Sequence, residues 1–273
     1  MILCLDVGNS QLYCGVYQGD SLRCQFRRTS AARASSDELG VFLLAALREN
    51  GVDPKGIERI ALSSVVPDML HSLRACCQKY FRLEPMVLRP GVKTGLKILY
   101  KDPKEVGADR IADALGAVTL FPGRHLIVVD FGTATTITAI SKRGEFLGGN
   151  ILPGVRLALE ALVERTAKLP SVEIVPAEGA IGRSTVESIQ NGVYWSNVGM
   201  VKELTARMTA EAFPEEAPLV IGTGGFSHLF DQEELFDAEL LDEELLDEPL
   251  FLVAFSASLI AFSASLIGAS LAS

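Results

Sequence analysis

The feature that most constrains the fold is a pattern of strand, glycine turn and strand that occurs twice. The apolar run Ile2–Val7 leads into a Gly-Asn-Ser turn, with Asp6 near the end of the run. Residues 126–135 repeat this plan, with Asp130 in the corresponding position. Each copy predicts a buried strand, a tight turn with a carboxylate at its mouth and a second strand. The repetition predicts two similar α/β halves.

Strand and helix signals alternate between and after the two copies. Ser35 and Glu38 form a capping box ahead of an apolar helix, and an Ala-rich helix is predicted over 105–121. Gly148-Gly149 predicts a turn, and a helix is predicted over 184–212. A strand over 218–221 then leads into a third glycine loop, which would suit flat contact with a nucleotide base or ribose.

Composition excludes several classes of function. The 273-residue chain is 48% hydrophobic and 22% charged, which is ordinary for a globular protein. Its formal charge of −9 argues against nucleic-acid binding, because phosphate backbones are held mainly by Lys and Arg. Five cysteines without C-x-x-C spacing predict reduced thiols in a cytoplasmic protein, and the amino terminus has no signal-peptide pattern.

The first glycine turn has the composition of an anion site. Gly8 allows a ligand to approach the backbone closely, while Asn9 and Ser10 supply donors. Asp6 could hold Mg²⁺ through water, as Mg²⁺ usually binds. No Lys lies in this loop, so phosphate charge would be met by the metal and by backbone dipoles. Ordinary turn chemistry is the alternative interpretation.

A second constellation lies where the Ala-rich helix begins. Gly107 permits an unusual turn, and Asp109 follows within the first helical turn, beside Arg110. One interpretation is a carboxylate that stabilises a helix N-terminus. The other is a base beside an anion-binding group.

Five motifs in order resemble the type III pantothenate kinase family. They are DVGNS at 6–10, GADRIAD at 107–113, VVDFGTATT at 128–136, GG-x-I-x-PG at 148–154 and TGG at 223–225. The resemblance covers residues 1 to about 232. It implies the acetate and sugar kinase/Hsp70/actin superfamily, an α/β fold of duplicated actin-like, ribonuclease H-like domains with a nucleotide cleft between them. We place these domains at 1–117 and 118–273.

The resemblance also implies an activity, which is ATP-dependent phosphorylation of pantothenate to 4′-phosphopantothenate in coenzyme A biosynthesis. It implies Mg²⁺, a monovalent cation (K⁺ or NH₄⁺) and a homodimer, without nucleic-acid or membrane partners. Asp109 would accept the proton of the substrate hydroxyl, Asp6 would organise Mg²⁺ and Asp130 would hold the monovalent cation. The ATP-binding residues would be Asp6, Val7, Gly8, Asn9, Ser10, Gln11, Leu12, Tyr13, Thr133, Gly224 and Gly225. The substrate-binding residues would be Tyr100, Gly107, Ala108, Asp109, Arg110 and Thr185.

Two other functions compete with this expectation. One is a non-catalytic regulator on the same fold, resembling the Baf-type accessory transcription activators, and the other is a sugar or acetate kinase of the same superfamily. The chain departs from the family pattern over 239–273, where two segments are duplicated and residues 249–273 carry no charge. A buried terminal element, a low-complexity or engineered replacement of a natural tail, and a membrane span remain open for this tail.

Overall fold

The structure, a computed structural model, describes residues 1–19, 21–31, 33–89, 91–92 and 94–239. Their contacts form two compact units. Of the described residues, the first contains Met1–Leu96 and Lys101–Leu120, and the second contains Lys97–Tyr100 and residues 121–239. No helix within the described ranges is long and apolar enough to cross a membrane. The domain boundary at 117/118 stays a prediction, and the tail expectations for 240–273 concern residues outside the described ones.

The first unit is built on a five-stranded sheet in the order β3-β2-β1-β4-β5. Its strands are β1 (Ile2–Val7), β2 (Gln11–Gln18), β3 (Ser21–Thr29), β4 (Arg59–Ser64) and β5 (Met86–Val87). The first three strands form an antiparallel meander, whereas β4 is parallel to β1 and β5 is parallel to β4. The carboxyl ends of β1 and β4 therefore lie together at one edge, where the Gly8 turn begins.

The α-helices in the described part of the first unit are α1 (Ser36–Glu49), α2 (Pro67–Cys76) and α3 (Ala108–Leu120). The predicted capping box at α1 is present, with Ser35 and Glu38 bonded reciprocally. α2 runs directly into a π-helical turn, Cys77–Phe81. Leu3, Leu5 and Val7, which alternate along β1, pack in a buried cluster with α1 and α2. Asp6 therefore points to the opposite face of β1.

The second unit is built on a six-stranded sheet in the order β11-β10-β7-β8-β9-β6. Its strands are β6 (Lys97–Ile98), β7 (Leu126–Phe131), β8 (Ala134–Ser141), β9 (Glu145–Pro153), β10 (Leu219–Thr223) and β11 (Ala238–Glu239). β7, β8 and β9 form an antiparallel meander, and β10 lies parallel to β7. Helices α4 (Val155–Glu164) and α5 (Thr185–Ala212) follow β9 in this unit.

The two sheets share one topology. In each, a meander of three strands is followed by two parallel strands that add beside the meander's first strand, and β6 is the extra edge strand of the second sheet. The prediction of a duplicated α/β fold is therefore confirmed at the level of strand order.

Two local predictions are wrong. The helix predicted from residue 105 begins at Ala108, because a 3₁₀ turn, Pro103–Glu105, and Gly107 precede it. Gly148 and Gly149 do not form a turn but lie inside β9, where the register with β8 shifts between Ala139 and Ile140. Gly148 has φ 137°, a conformation that glycine adopts readily, and it permits this bulge.

Candidate functional site

The first glycine turn is held by bonds from two directions. The Gly8 amide donates to the Gln11 carbonyl at 2.9 Å, which closes the turn between β1 and β2. From the end of β3, the Ser30 amide donates to the Ser10 carbonyl at 2.9 Å, and its hydroxyl donates to the Gly8 carbonyl at 2.7 Å. Ser30 was not among the predicted site residues, since its contact depends on strand pairing that local sequence does not reveal.

Asp6 lies opposite the apolar cluster, in a row of residues that crosses the sheet. The strand register places it between Tyr13 on β2 and Ser63 on β4. Partners directly opposite in a sheet point to the same face. The Val7 amide and the Ser63 hydroxyl act to lower the pKa of this carboxyl, although the Ser63 hydroxyl oxygen is buried without a hydrogen-bond partner in the described part of the chain. Asp6 therefore lies on the face opposite the apolar cluster, at the edge of the sheet where the glycine turn lies.

Asp109 lies close enough to Asp6 for the two carboxylates to interact. Burial is the main effect that raises the pKa of Asp6 to about 7, and repulsion from the Asp109 carboxylate adds to it. The first unit therefore brings together two carboxylates from distant parts of the sequence, one at a strand end and one on a helix.

The backbone around Gly107 fixes the position of Asp109. The Arg110 amide donates to the Asp109 carboxylate at 2.8 Å, and the Ile111 amide donates to the Gly107 carbonyl at 3.1 Å. A Cβ at Gly107 would collide with the Asp109 carboxylate, so the glycine leaves room for that side chain. Arg110 is only 4% exposed, and its expected role as an anion-binding group for the substrate stays a prediction.

The Asp6–Asp109 pair fits a divalent cation bound together with a phosphate. No group of three or more His, Cys, Asp or Glu side chains in the described ranges could hold a metal ion by itself. Mg²⁺ does not need such a cage, because it commonly takes one or two carboxylates and completes its shell with water and substrate oxygens. A cation there would favour the ionised form of Asp6, which burial and Asp109 disfavour.

Replacing Asp6 with asparagine is expected to stabilise the metal-free protein at neutral pH. Because the folded-state pKa is about 7, the unfolded chain releases this proton at lower pH than the folded one. The contribution of Asp6 to the free energy of unfolding thus becomes less favourable between about pH 4 and pH 7, by on the order of 1–4 kcal/mol. Denaturant unfolding in EDTA should show Asp6→Asn gaining stability over wild type across this range and then levelling off. A difference that is constant with pH would contradict the assignment.

The second glycine turn follows the same plan in the second unit. Asp130 at the end of β7 lies between Thr136 on β8 and Thr223 on β10. A Cβ at Gly132 would lie 3.2 Å from the Asp130 carboxylate, and one at Gly224 would collide with that carboxylate. The third glycine loop therefore packs against the second turn.

Gly154 closes this turn from the other side. A Cβ at Gly154 would collide with the Thr133 carbonyl and lie 2.6 Å from the Gly132 carbonyl. The turn thus gathers a carboxylate and several backbone carbonyl oxygens among glycines. Oxygen donors of this kind suit hard cations, so the donor set fits the predicted monovalent cation.

Both turns contain a buried acceptor without a partner in the described part of the chain. These acceptors are Gln11 Oε1 at the start of β2 and Thr135 Oγ1 near the start of β8. Such groups are uncommon in folded proteins and call for a bound water, ion or ligand. Gln11 belongs to the predicted ATP-binding set, whereas Thr135 was not predicted, because burial of its hydroxyl is invisible in the sequence.

The predicted substrate residues divide between the two units. Gly107, Ala108, Asp109 and Arg110 lie in the first unit, and Tyr100 and Thr185 lie in the second. Tyr100 packs edge-on against Phe146, with ring centroids 6.2 Å apart. Thr185 is the exposed first residue of α5, after Ser184, which caps that helix by accepting from the Glu187 amide. The roles of these residues and their joint use stay predictions and are treated below as a proposal.

Comparison with known proteins identifies relatives over most of the chain. A family model for type III pantothenate kinase matches residues 2–207. A type III pantothenate kinase from Legionella pneumophila (strain Corby) is 54% identical over 237 residues, which is 87% of this chain and 92% of the relative. The protein of the same name from Elusimicrobium minutum is 48% identical over the same shares. A type III pantothenate kinase 1 from Francisella tularensis (strain OSU18) is 45% identical over 87% of this chain and 93% of its own length.

Solved structures with the same fold are more distant in sequence. A conserved protein from Campylobacter jejuni, described as a Baf family transcriptional activator, has a TM-score of 0.60 at 20% identity, covering 96% of this chain and 99% of that one. The activator of the 2-hydroxyisocaproyl-CoA dehydratase from Clostridium difficile, with bound ADPNP, has a TM-score of 0.52 at 11% identity, covering 98% and 97%. These likenesses support the actin-like fold alone. The family model and the closer relatives settle the family, and this chain belongs to the type III pantothenate kinases.

Proposed function

We propose that this protein transfers the γ-phosphoryl group of ATP to the primary hydroxyl of pantothenate, forming 4′-phosphopantothenate and ADP for coenzyme A biosynthesis. The observation that carries the proposal is the Asp6–Asp109 pair beside the Gly8 turn, in a chain that belongs to this family. Phosphoryl transfer depends mainly on alignment and charge neutralisation. Two carboxylates beside a tight glycine turn are suited to that task.

In the mechanism we propose, Asp109 orients the pantothenate hydroxyl and accepts its proton. The hydroxyl oxygen forms a bond to the γ-phosphorus, the bond from that phosphorus to the β–γ bridging oxygen breaks, and ADP leaves with the electron pair. An aspartate carboxylate is a weak base at neutral pH, so the proton moves late, after Asp109 has served mainly to orient the hydroxyl. The Arg110 amide, which donates to Asp109, holds the carboxylate in place during this step.

The other predicted residues divide into nucleotide and substrate roles. The loop from Asp6 to Tyr13 would cradle the phosphates, with Asp6 holding Mg²⁺, which neutralises phosphate charge when bound. Thr133, Gly224 and Gly225 would contact the nucleotide. Gly107–Arg110, Tyr100 and Thr185 would bind pantothenate.

Asp130 is proposed as the ligand of the monovalent cation. Asp130→Ala should raise the KM for ATP and weaken the dependence of activity on K⁺ or NH₄⁺, because the carboxylate beside Gly132 and Gly224 is removed. Initial rates across a KCl series, with ionic strength held constant by a larger inert cation, measure both effects. An unchanged K⁺ dependence in the variant would refute this role.

A homodimer is proposed from the surface of α4, α5 and the segment before α5. Ile181 is 83% exposed, and Leu157 and Val186 are 45% and 43% exposed. Residues of α4, of 182–184 and of α5 line one pocket, and exposed apolar side chains on such neighbouring elements are typical of an interaction surface. Thr185 lines this pocket as well, and the resemblance implies that Thr185 comes either from the dimer partner or from the wall of the cleft. Light scattering at several protein concentrations tests the dimer, and a mass of one chain throughout would refute it. The cytoplasmic location stays a prediction.

The competing functions are a non-catalytic regulator and a kinase that acts on a sugar or acetate. A Baf-type regulator is not favoured, because the relatives at 45–54% identity are kinases and the Baf likeness at 20% concerns the fold alone. A coupled ADP-release assay with pantothenate, acetate or a panel of sugars as acceptor tests the proposal. Release that depends on pantothenate supports it. Release with a sugar or acetate alone, or with no acceptor, would replace it.

A further inference from the structure

The first glycine turn lacks a cationic side chain of its own. No Lys or Arg lies between Asp6 and Tyr13, and the pair Asp6 and Asp109 adds negative charge where phosphates would bind. A bound Mg²⁺ offsets only part of the charge of a nucleoside triphosphate. A cationic group from another element would complete the site.

The strand register brings one arginine into line with Asp6. Asp6 on β1 is opposite Tyr13 on β2, and Tyr13 is opposite Arg27 on β3. Residues paired in this way share a face, so Arg27 lies on the Asp6 face, two strands away. Two strand spacings amount to about 10 Å. A phosphate at the turn, above Tyr13, would lie between Asp6 and Arg27.

Arg27 is also at the correct end of its strand. Ser30, three residues later, makes the two hydrogen bonds that hold the Gly8 turn. The backbone around Arg27 is thus fixed to the turn itself. Its neighbour Arg28 belongs to the opposite face, where its guanidinium lies 5.4 Å from the centre of the Phe42 ring. Only one of this adjacent pair therefore faces the proposed phosphate site.

The side chain of Arg27 is available for a ligand. It is exposed, and within the described ranges it makes no salt bridge. We propose that Arg27 binds the phosphate groups of the nucleotide at the Gly8 turn and supplies the positive charge that this loop lacks. The inference rests on the proposed use of ATP at this turn. Guanidinium groups suit the role because their planar donors match phosphate oxygens.

The test compares Arg27 with a matched arginine on the same strand. Arg23 is exposed as well, but it lies four residues away, about 13 Å along β3, at the other end of the strand. MgATP binding is measured by calorimetry for wild type, Arg27→Gln, Arg27→Lys and Arg23→Gln. We expect Arg27→Gln to weaken MgATP binding by about 10- to 100-fold, since hydrogen bonds to charged groups are strong. Arg23→Gln should remain within about twofold of wild type, and Arg27→Lys should recover part of the loss because it restores the charge.

Two further readouts separate phosphate binding from a structural effect. The MgATP affinity of wild type should fall more steeply with added NaCl than that of Arg27→Gln, because the variant has lost a screened charge–charge contact. The KM for ATP should rise in this variant while the KM for pantothenate stays nearly constant. Equal affinity in the two glutamine variants, or no recovery in Arg27→Lys, would overturn the proposal. A wild type that binds MgATP but does not phosphorylate pantothenate would refute the proposed function and leave the Arg27 result intact.

Discussion

Replacing Asp109 with asparagine is expected to lower kcat by about 10²- to 10⁴-fold, the usual contribution of a positioned general base. In the wild type the Arg110 backbone amide donates to the Asp109 carboxylate at 2.8 Å. The asparagine side chain fits the same place, but its amide group cannot accept the hydroxyl proton. MgATP affinity should be unchanged or slightly tighter, because the substitution removes the repulsion that helps to raise the pKa of Asp6. Steady-state kinetics and calorimetry together measure both effects.

Because asparagine has nearly the same shape as aspartate, the stability of Asp109→Asn serves as a control for its loss of activity. Gly107 leaves room for the side chain at position 109, so an isosteric amide requires no rearrangement. An unfolding transition that matches wild type would show that the loss of kcat does not come from loss of structure. Near-wild-type kcat in Asp109→Asn would remove Asp109 from the chemistry and return it to the role of stabilising the start of α3.

Replacing Gly224 with alanine is expected to disrupt the second half-site, whereas the same change at Gly225 should be tolerated. Gly224 has φ 90°, and a Cβ there would collide with the Asp130 carboxylate and lie 2.6 Å from the Phe131 amide nitrogen. Backbone strain and the collision together predict a loss of about 2–4 kcal/mol in the free energy of unfolding. Nucleotide binding should weaken as well, because Asp130 and the turn must move.

Gly225→Ala is the matched control for this prediction. A Cβ at Gly225 meets no atom within 4 Å in the described structure, so folding should be nearly unaffected. Urea unfolding gives the stability difference, and calorimetry with MgATP gives the binding difference. If Gly225→Ala retains stability but loses MgATP affinity, the open space beside Gly225 is where the nucleotide binds, as proposed. Equal stability of Gly224→Ala and wild type would contradict the packing of the loop against Asp130.

The parts of the fold that depend on local sequence were predictable. The twin glycine turns, the capping box at Ser35 and the helix over 184–212 depend on residues close together in the chain, and each has the expected form. The duplicated strand order follows from the same repetition. The start of α3 was misplaced because the helical periodicity extends through Gly107, whereas the preceding 3₁₀ turn ends that continuity.

The parts that depend on pairing between distant segments were not predictable. Gly148 looks like a turn residue in sequence, but pairing with β8 makes it a bulge within β9. The support of the Gly8 turn by Ser30 and the alignment of Arg27 with Asp6 both require the register of β3. The resemblance named Asp6 and Asp109 as site residues, but only the folded first unit shows that their carboxylates interact.

The most direct test of the central claim is to identify the product made from ATP and pantothenate. Purified protein is incubated with MgATP, K⁺ and pantothenate, and the mixture is analysed by mass spectrometry alongside Asp109→Asn. The account predicts 4′-phosphopantothenate and ADP in equal amounts from wild type, and at least about a hundredfold less of both from the variant. ADP without phosphorylated pantothenate, or equal product from the two proteins, would contradict it.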